Sequence, residues 1–383
     1  MIVRAGILYD GTLDPPRRKV DIVVEAGKIV ALRDATGDAD FEAPCVTPGL
    51  VNAHVHLEMS GEADTMGAYR ATTATQRAFT AAENARKSLQ GGVTTVRDVG
   101  ASNNIAIDLR DAIARGALPG PRISAAGQVL CMTGGHGWFV GRFVDSPDEA
   151  RKAVREQLWQ GADCIKMIAT GGVLTKGAVP GLAQLTHDEM ESACIEAHRH
   201  SMKICAHAIG TEGIKNALRA GVDSIEHGHL LDDEAIELFK QRGAYLVPTL
   251  TAPTCILENS ERGNQPDFVI RKAREVNEGM LVNIRRAYEA GVKVAGGSDA
   301  GTPFNYHDNY IYEVELMHRM LGMSPQEALH AATSTSAALI GIHRGLVAEG
   351  EPADVLLLER DIAQDVSALR QRRHVLKDGV AVA

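Results

Sequence analysis

Two histidines separated by a single residue carry the sharpest chemical signal in the sequence. His54 and His56 end the run 48–56, whose apolar and β-branched residues predict a strand. Side chains two positions apart on a strand leave the same face, so both imidazoles project together. Two imidazoles on one strand can chelate a divalent metal ion. Because such pairs are common by chance, a metal site needs further ligands from elsewhere in the chain.

Three further candidate ligands follow predicted strands: His207, His227 and Asp299. Each lies at the C-terminal end of its strand, which is the edge where β/α barrels build their active sites. Taken singly, each could be a helix-capping or hydrogen-bonded polar residue. Together with His54 and His56 they favour a metal site.

Lys166 is a sixth candidate, because it interrupts the apolar run 164–169. An apolar strand disfavours the charged ammonium form, which would make the amine nucleophilic. The alternative is an ordinary strand lysine whose amine reaches solvent.

Two other positions suggest contacts around such a site. His136 lies in the glycine-rich segment 133–137, where its imidazole could bind a substrate carbonyl or carboxylate, or have a structural role only. Arg97 and Asp98 end another predicted strand and are expected to form an internal ion pair that braces the barrel mouth. Arg97 could instead hold a substrate carboxylate. His229 is left out of the site, since it could simply cap the next helix.

The elements that must position these residues alternate between short β-rich runs and amphipathic helices, which predicts an α/β fold with parallel strands. Helix ends are marked at Ser146, whose helix reaches Gly161, and by a capping box of Thr186 and Glu189. Eight strands are predicted, the number that closes a (β/α)8 TIM barrel: 50–55, 93–99, 123–130, 164–169, 203–208, 223–227, 245–249 and 292–297.

The two chain ends read differently from the centre, as short strands joined by turns. A few-stranded piece of this size is marginal alone, so the ends are expected to pair. We therefore predict a small β-sandwich domain from residues 1–46 and 346–383, and a metal-dependent hydrolase barrel over residues 47–345.

Composition excludes several classes of function. The 383 residues carry a net charge of -9 from interspersed acids and bases, and aromatic residues make up 4%. Neither property suits a nucleic-acid or acidic-membrane partner. No apolar run is long enough to span a bilayer, and the N-terminal residues lack the features of a signal peptide, so a cytoplasmic location is expected. The six cysteines form no CxxC pair, which argues against a disulfide framework or zinc ribbon.

The motifs together resemble the amidohydrolase superfamily. The similarity is closer to its imidazolonepropionase-like branch, which includes Xaa-Pro and Xaa-Arg/Lys dipeptidases with two metal ions. The matching segments span nearly the whole chain and follow the family's order: 25–29, 47–56, 92–98, 133–136, 165–166, 206–208, 225–228, 297–299 and 352–354.

The resemblance implies a ligand set. His54, His56 and Asp299 would bind one divalent ion, and His207 and His227 a second. Lys166, carboxylated by carbon dioxide, would bridge both ions through its carbamate, with Zn²⁺ the expected metal. Two such ions would supply a bridging hydroxide at neutral pH, and Asp299 would also be the catalytic acid/base. Within this resemblance, imidazolonepropionase is the one-metal type that lacks the bridging lysine. The presence of Lys166 therefore makes the chain more similar to the two-metal, peptidase-like relatives.

The expected activity is hydrolysis of a C–N amide bond in a small molecule, such as a dipeptide or an N-acyl amino acid, with His136 binding substrate. A homo-oligomer is also expected. Ile209 departs from the pattern, because dipeptidase-like relatives often have tyrosine there, and this puts peptide specificity in doubt. The alternatives are a cyclic amide hydrolase or deaminase of the imidazolonepropionase type, a lactone or organophosphate ester hydrolase, and a metal-free structural relative.

Overall fold

The structure, a computed structural model, describes residues 1–382. Its strands, in chain order, are β1 (Ile2–Leu8), β2 (Arg17–Glu25), β3 (Lys28–Asp34), β4 (Phe41–Pro48), β5 (Leu50–Val55), β6 (Val93–Asp98), β7 (Arg122–Ala125), β8 (Val129–Cys131), β9 (Gly141–Phe143), β10 (Cys164–Ile168), β11 (Lys203–Ala208), β12 (Ser224–His227), β13 (Tyr245–Val247), β14 (Lys293–Val294), β15 (Val355–Leu358), β16 (Arg372–Lys377) and β17 (Val380–Ala381).

The α-helices that connect and cover these strands are α1 (Thr65–Ala71), α2 (Ala74–Gln90), α3 (Ile105–Ala114), α4 (Pro147–Gln160), α5 (His187–Arg199), α6 (Thr211–Ala220), α7 (Asp233–Arg242), α8 (Thr251–Glu258), α9 (Asp267–Glu289), α10 (Ile311–Leu321), α11 (Pro325–His330) and α12 (Ser336–Ile340). Among residues 1–382, no helix combines the length and the apolar character that a membrane crossing requires.

The central strands form the predicted parallel barrel. One run pairs β5, β6 and β7, and a second runs from β8 through β10, β11, β12 and β13 to β14. The barrel closes where the Ala53 N–H donates to the Gly296 carbonyl (2.9 Å) and the Asp299 N–H donates to the His54 carbonyl (2.9 Å). The last contact places two predicted ligands side by side, so closure of the barrel itself assembles the site.

The third predicted strand, 123–130, differs in detail from the expectation. It is divided into β7, which pairs with β6, and β8, which pairs with β10. Residues 126–128 interrupt the strand between the two pieces, and Gly127 adopts a positive φ of 66° there. Glycine takes this conformation without a Cβ clash.

The chain ends pair with each other, as predicted. Their sheet has the order β17-β16-β15-β4-β1-β2-β3, and antiparallel pairing of β15 with β4 joins the C-terminal strands to the N-terminal ones. The small β domain is thus a separate seven-stranded sheet built from both ends of the chain. The domain limits at 46/47 and 345/346 stay a prediction; β4 ends at Pro48, and the single residue Gly49 separates it from β5.

Both predicted helix starts are confirmed. The Ser146 side chain accepts from the Glu149 N–H at the start of α4, and Gly161 ends this helix with a φ of 91°. Thr186 and Glu189 form a reciprocal capping box at the start of α5. Helix α4 directly precedes β10, which carries Lys166, and α5 directly precedes β11, which carries His207. The capped helix starts therefore define the helices that lead into both strands.

Candidate active site

Three of the predicted ligands form a compact group. In the described residues, ligand atoms of His54, His56 and Asp299 lie within 4.8 Å of one another. The Asp299 Oδ1 atom is 3.3 Å from His54 Nε2 and 3.4 Å from His56 Nε2. Burial opposes ionisation of Asp299, but His54 and His56 lower its pKa below the usual range, so the carboxyl group is charged.

The Nδ1 atom of each of these two histidines lies within hydrogen-bond distance of an acceptor. His54 Nδ1 lies 2.7 Å from the Glu226 carboxylate, and His56 Nδ1 lies 3.1 Å from the Gly100 carbonyl. Neither acceptor can donate, so each Nδ1 carries a proton, and Nε2 is the ring nitrogen that each histidine, in its neutral form, can offer to a metal ion beside Asp299. Hydrogen bonds of this kind orient histidines that bind metals.

His207 and His227 face the same cavity from β11 and β12. Their ring centroids are 4.5 Å apart, and the His227 centroid is 5.3 Å from that of His54. His207 Nε2 donates to the Gly171 carbonyl (3.1 Å), which leaves its Nδ1 free. Thr249 gives its hydroxyl proton to the Pro248 carbonyl (2.8 Å), so it accepts from His227 Nδ1 (2.7 Å) and leaves Nε2 free.

Each of the four imidazoles therefore offers one unused ring nitrogen. Burial lowers the pKa of His56 to about 4 and holds the pKa of His207 and His227 well below the usual range. Neutral imidazole is the form that binds a metal ion. Neutral nitrogen donors together with a charged carboxylate suit a divalent cation such as Zn²⁺, so the donor set fits the ions that the sequence predicts.

Lys166 lines the same cavity as these histidines. It lies in the middle of β10 and is 2% exposed, so the sequence-based alternative of an amine reaching solvent is wrong. In the β10–β11 register Lys166 is opposite Cys205, two residues before His207.

The predicted ion pair of Arg97 with Asp98 is wrong. The buried Arg97 guanidinium instead contacts Glu226 Oε1 at 2.9 Å and the Ala53 carbonyl at 2.7 Å. Asp98 accepts from the Leu57 and Gly100 N–H groups, and burial raises its pKa to about 7. Adjacent residues on a strand project to opposite faces, which separates the two side chains.

Glu226 is a site residue that sequence reasoning missed. It is fully buried and connects Arg97 to His54, and it accepts from the Ser224 hydroxyl at 2.6 Å. Burial opposes its ionisation, yet Arg97 and His54 hold the pKa of Glu226 well below its usual range. The available signal was an acidic residue directly before His227 in a strand that was predicted to belong to the barrel.

His136 also reaches the cavity, and its ring centroid lies 4.5 Å from that of His207. Its Nδ1 is 2.8 Å from the Thr175 hydroxyl, and its backbone N–H donates to Gln184 Oε1 (2.9 Å). At Gly172 a Cβ atom would come within 2.3 Å of His136 Nε2, so glycine is required for this close approach. The structure thus places His136 beside the histidine cluster on a fixed loop.

His229, which sequence reasoning left out, lines the cavity too. Its Nε2 donates to the Pro248 carbonyl (3.1 Å), while its buried Nδ1 has no partner among the described residues. Burial lowers its pKa to about 4, so this Nδ1 is a neutral acceptor. The predicted role as a helix cap is not what its contacts show.

Two of the predicted ligand positions have a left-handed backbone. His227 has a φ of 75° and Asp299 a φ of 58°. Non-glycine residues rarely adopt this conformation, which costs on the order of 1–3 kcal/mol and is concentrated at functional sites. Adjacent residues of a regular strand face opposite sides, and Glu226 already points into the barrel. The left-handed backbone at His227 allows its side chain to face the cavity as well.

We expect Glu226→Gln to weaken metal binding by about 10–100-fold, the usual effect of losing a partner that orients a ligand. The variant keeps the side-chain size but removes the charge that holds the His54 proton on Nδ1. Competition against a chromophoric chelator measures the affinity, and melting curves check folding. Glu191→Gln, an exposed change on α5, is the control. Unchanged metal affinity in a folded Glu226→Gln variant would show that Glu226 stabilises the structure without contributing to metal binding.

Comparisons with known proteins agree with this architecture. The amidohydrolase family model matches residues 45–382. Ochratoxinase of Aspergillus niger is 29% identical, over 99% of this chain and 85% of that protein. Imidazolonepropionase of Salinispora tropica is 25% identical, over 89% of this chain and 86% of that protein. A crystal structure of a Xaa-Pro dipeptidase with methionine bound in its active site has a TM-score of 0.91 and 34% identity, covering 99% of this chain and 98% of that one.

A (β/α)8 barrel with histidines and an aspartate at the carboxyl ends of its strands defines the class of metal-dependent barrel hydrolases. The chain belongs to the amidohydrolase family and is a hydrolase of that superfamily, whose members generally bind divalent metal ions. The predicted family and branch are thereby confirmed.

Proposed function

We propose that the protein is a two-metal hydrolase that cleaves a C–N amide bond in a small molecule, such as a dipeptide or an N-acyl amino acid. The observation that carries this proposal is the set of four imidazoles, each with one ring nitrogen left to bind a metal ion, around a cavity that also contains Asp299 and the buried Lys166. The names of the similar proteins support the same reaction class, since a dipeptidase cleaves an amide bond.

The proposed ligand assignment follows the two groups of side chains. His54, His56 and Asp299 would hold one ion, and His207 and His227 would hold the second. Lys166, as its carbamate, would be the bridge between them. Forming the carbamate requires the neutral amine, which bonds through Nζ to carbon dioxide and releases one proton. When bound, two divalent ions, with Zn²⁺ the expected pair, would lower the pKa of a water molecule and polarise the substrate carbonyl.

The remaining steps belong to protein groups. Asp299 would take a proton from the attacking water and pass it to the leaving nitrogen, which makes departure of the amine possible. His136 would bind the substrate carbonyl or carboxylate, because its ring reaches the cavity beside His207. Glu226 and Arg97 would keep the His54 proton on Nδ1 throughout.

A panel of dipeptides, N-acyl amino acids, cyclic amides, lactones and phosphotriesters, given to metal-reconstituted enzyme, tests the reaction class. We expect turnover of amides, and its loss on chelation. Turnover confined to cyclic amides, or to esters, would replace the proposal by the imidazolonepropionase-type or ester-hydrolase alternative. The panel is broader than dipeptides because Ile209 stands where dipeptidase-like relatives often have tyrosine, which puts peptide specificity in doubt.

Single alanine substitutions test the ligands. We expect His54→Ala, His56→Ala, His207→Ala and His227→Ala each to lower bound metal and activity while the barrel stays folded. His187→Ala, on the partly exposed start of α5 and outside the cavity, is the matched control. Metal analysis and circular dichroism measure the two properties. Full metal occupancy with wild-type rates in any two ligand variants would contradict the assignment.

A further inference from the structure

The cavity that holds the candidate ligands has mainly apolar walls. One wall contains Met59, Val140 and Ile168, which are 3–4% exposed and belong to one apolar cluster together with Phe139. Met59 follows β5, Val140 follows β8, and Ile168 is the last residue of β10, so the wall is built from three parts of the barrel. The wall is therefore part of the folded core and cannot easily rearrange to expose a polar group.

A second wall belongs to a different apolar cluster. Val173 and Leu174, from the segment after β10, pack with Ile256 of α8. Ile209 and Val276 extend the apolar lining. The polar residues thus lie in a cavity with two separate apolar regions, each able to contact one substituent of a substrate.

Cationic side chains are almost absent from this lining. In the described residues, Lys166 is the one lysine or arginine of the cavity wall, and its proposed carbamate would be anionic. The buried amine of Lys272 on α9 does not line the cavity; it donates to the carbonyls of Gly172 (3.2 Å) and Thr175 (2.7 Å). A substrate carboxylate in either apolar region would be desolvated without a charged partner, which is unfavourable.

We propose that the substrate is an uncharged amide with an apolar group on each side of the scissile C–N bond. The inference rests on the proposed amide hydrolysis and narrows its substrate class, so that His136 would bind the substrate carbonyl and not a carboxylate. Among dipeptides and N-acyl amino acids, forms in which the charged ends are blocked or absent should react best.

A matched pair of compounds tests this directly: N-benzoyl-L-phenylalanine and N-benzoyl-2-phenylethylamine, which differ only in the carboxylate. We expect kcat/KM for the uncharged amide to be higher by about ten-fold or more, because it loses no carboxylate hydration on binding. An equal or higher kcat/KM for the carboxylate compound would overturn the inference.

A designed cation gives a second test. Leu174→Arg places a guanidinium at the partly exposed edge of the second wall and should shift the ratio of kcat/KM toward the carboxylate compound by about ten-fold. Leu182→Arg, in the same segment, exposed and outside the lining, is the control and should leave the ratio unchanged. An unchanged ratio in folded Leu174→Arg would count against the proposed wall.

Dissociation constants of the same two compounds, measured by calorimetry, separate this inference from the proposed function. If no amide in the broader panel is hydrolysed, the amide hydrolase proposal fails, yet tighter binding of the uncharged compound still supports the apolar site. If amides are hydrolysed but the carboxylate compound binds more tightly, the inference fails and the proposed function stands.

Discussion

Lys166→Ala should lose one metal ion per chain and reduce kcat by about 10²–10³-fold, the scale of removing a preorganised electrostatic contact. The physical reason is that Lys166 is buried in β10 among the candidate ligands, where only the carbamate form could act as an anionic bridge. Metal analysis and steady-state kinetics on the same preparation measure both effects. Lys152→Ala, an exposed change on α4, is the control.

Chemical rescue makes the Lys166 experiment specific. A short carboxylic acid added to Lys166→Ala should restore part of the activity and of the second metal, because its carboxylate fits the vacated space. Lys166→Arg should not be rescued, since a guanidinium forms no carbamate and its charge repels cations. Wild-type metal content in Lys166→Ala would show that Lys166 is not a bridge.

Asp299→Asn should retain substantial metal but lose about 10²-fold or more in kcat, the contribution of a general acid/base. The amide oxygen can still contact a cation, whereas the amide group cannot take a proton from water. Metal content and kcat are measured together, and Asp233→Asn, an exposed change on α7, is the control. A near-normal rate with metal retained would leave Asp299 as a ligand only.

The parts of the site that could be predicted depend on local periodicity. The two-residue alternation of a strand places His54 and His56 on one face, and parallel strands place His207 and Asp299 at a shared edge. Both arguments need only the sequence neighbours of each residue. The helix starts at Ser146 and Thr186 were predictable for the same reason, since capping involves residues three positions apart.

Contacts set by tertiary register could not be predicted. Arg97 lies on β6 and Glu226 on β12, and their pairing depends on which side chains share a layer inside the closed barrel. The adjacent Glu226 and His227 should face opposite sides of a regular strand, and the positive φ at His227 removes that restriction. Strand alternation therefore gave no reason to connect Glu226 with His54.

The contacts of the segment between β10 and α5 could not be predicted from the sequence either. It contains Gly172 against the His136 ring, Thr175 on His136 Nδ1, and Leu174 in the second apolar wall. Its position depends on the long-range contact with the Lys272 amine of α9, nearly one hundred residues further along the chain. No periodic pattern encodes such a contact.

Native mass spectrometry of enzyme purified without chelator or acid tests the two-metal account most directly, because it counts the metal ions and detects the added carbon dioxide in one measurement. We predict two divalent ions per chain and the mass of one carbon dioxide, both reduced in Lys166→Ala. A single ion per chain with an unmodified Lys166 would contradict the account, and would favour a one-metal enzyme of the imidazolonepropionase or deaminase type.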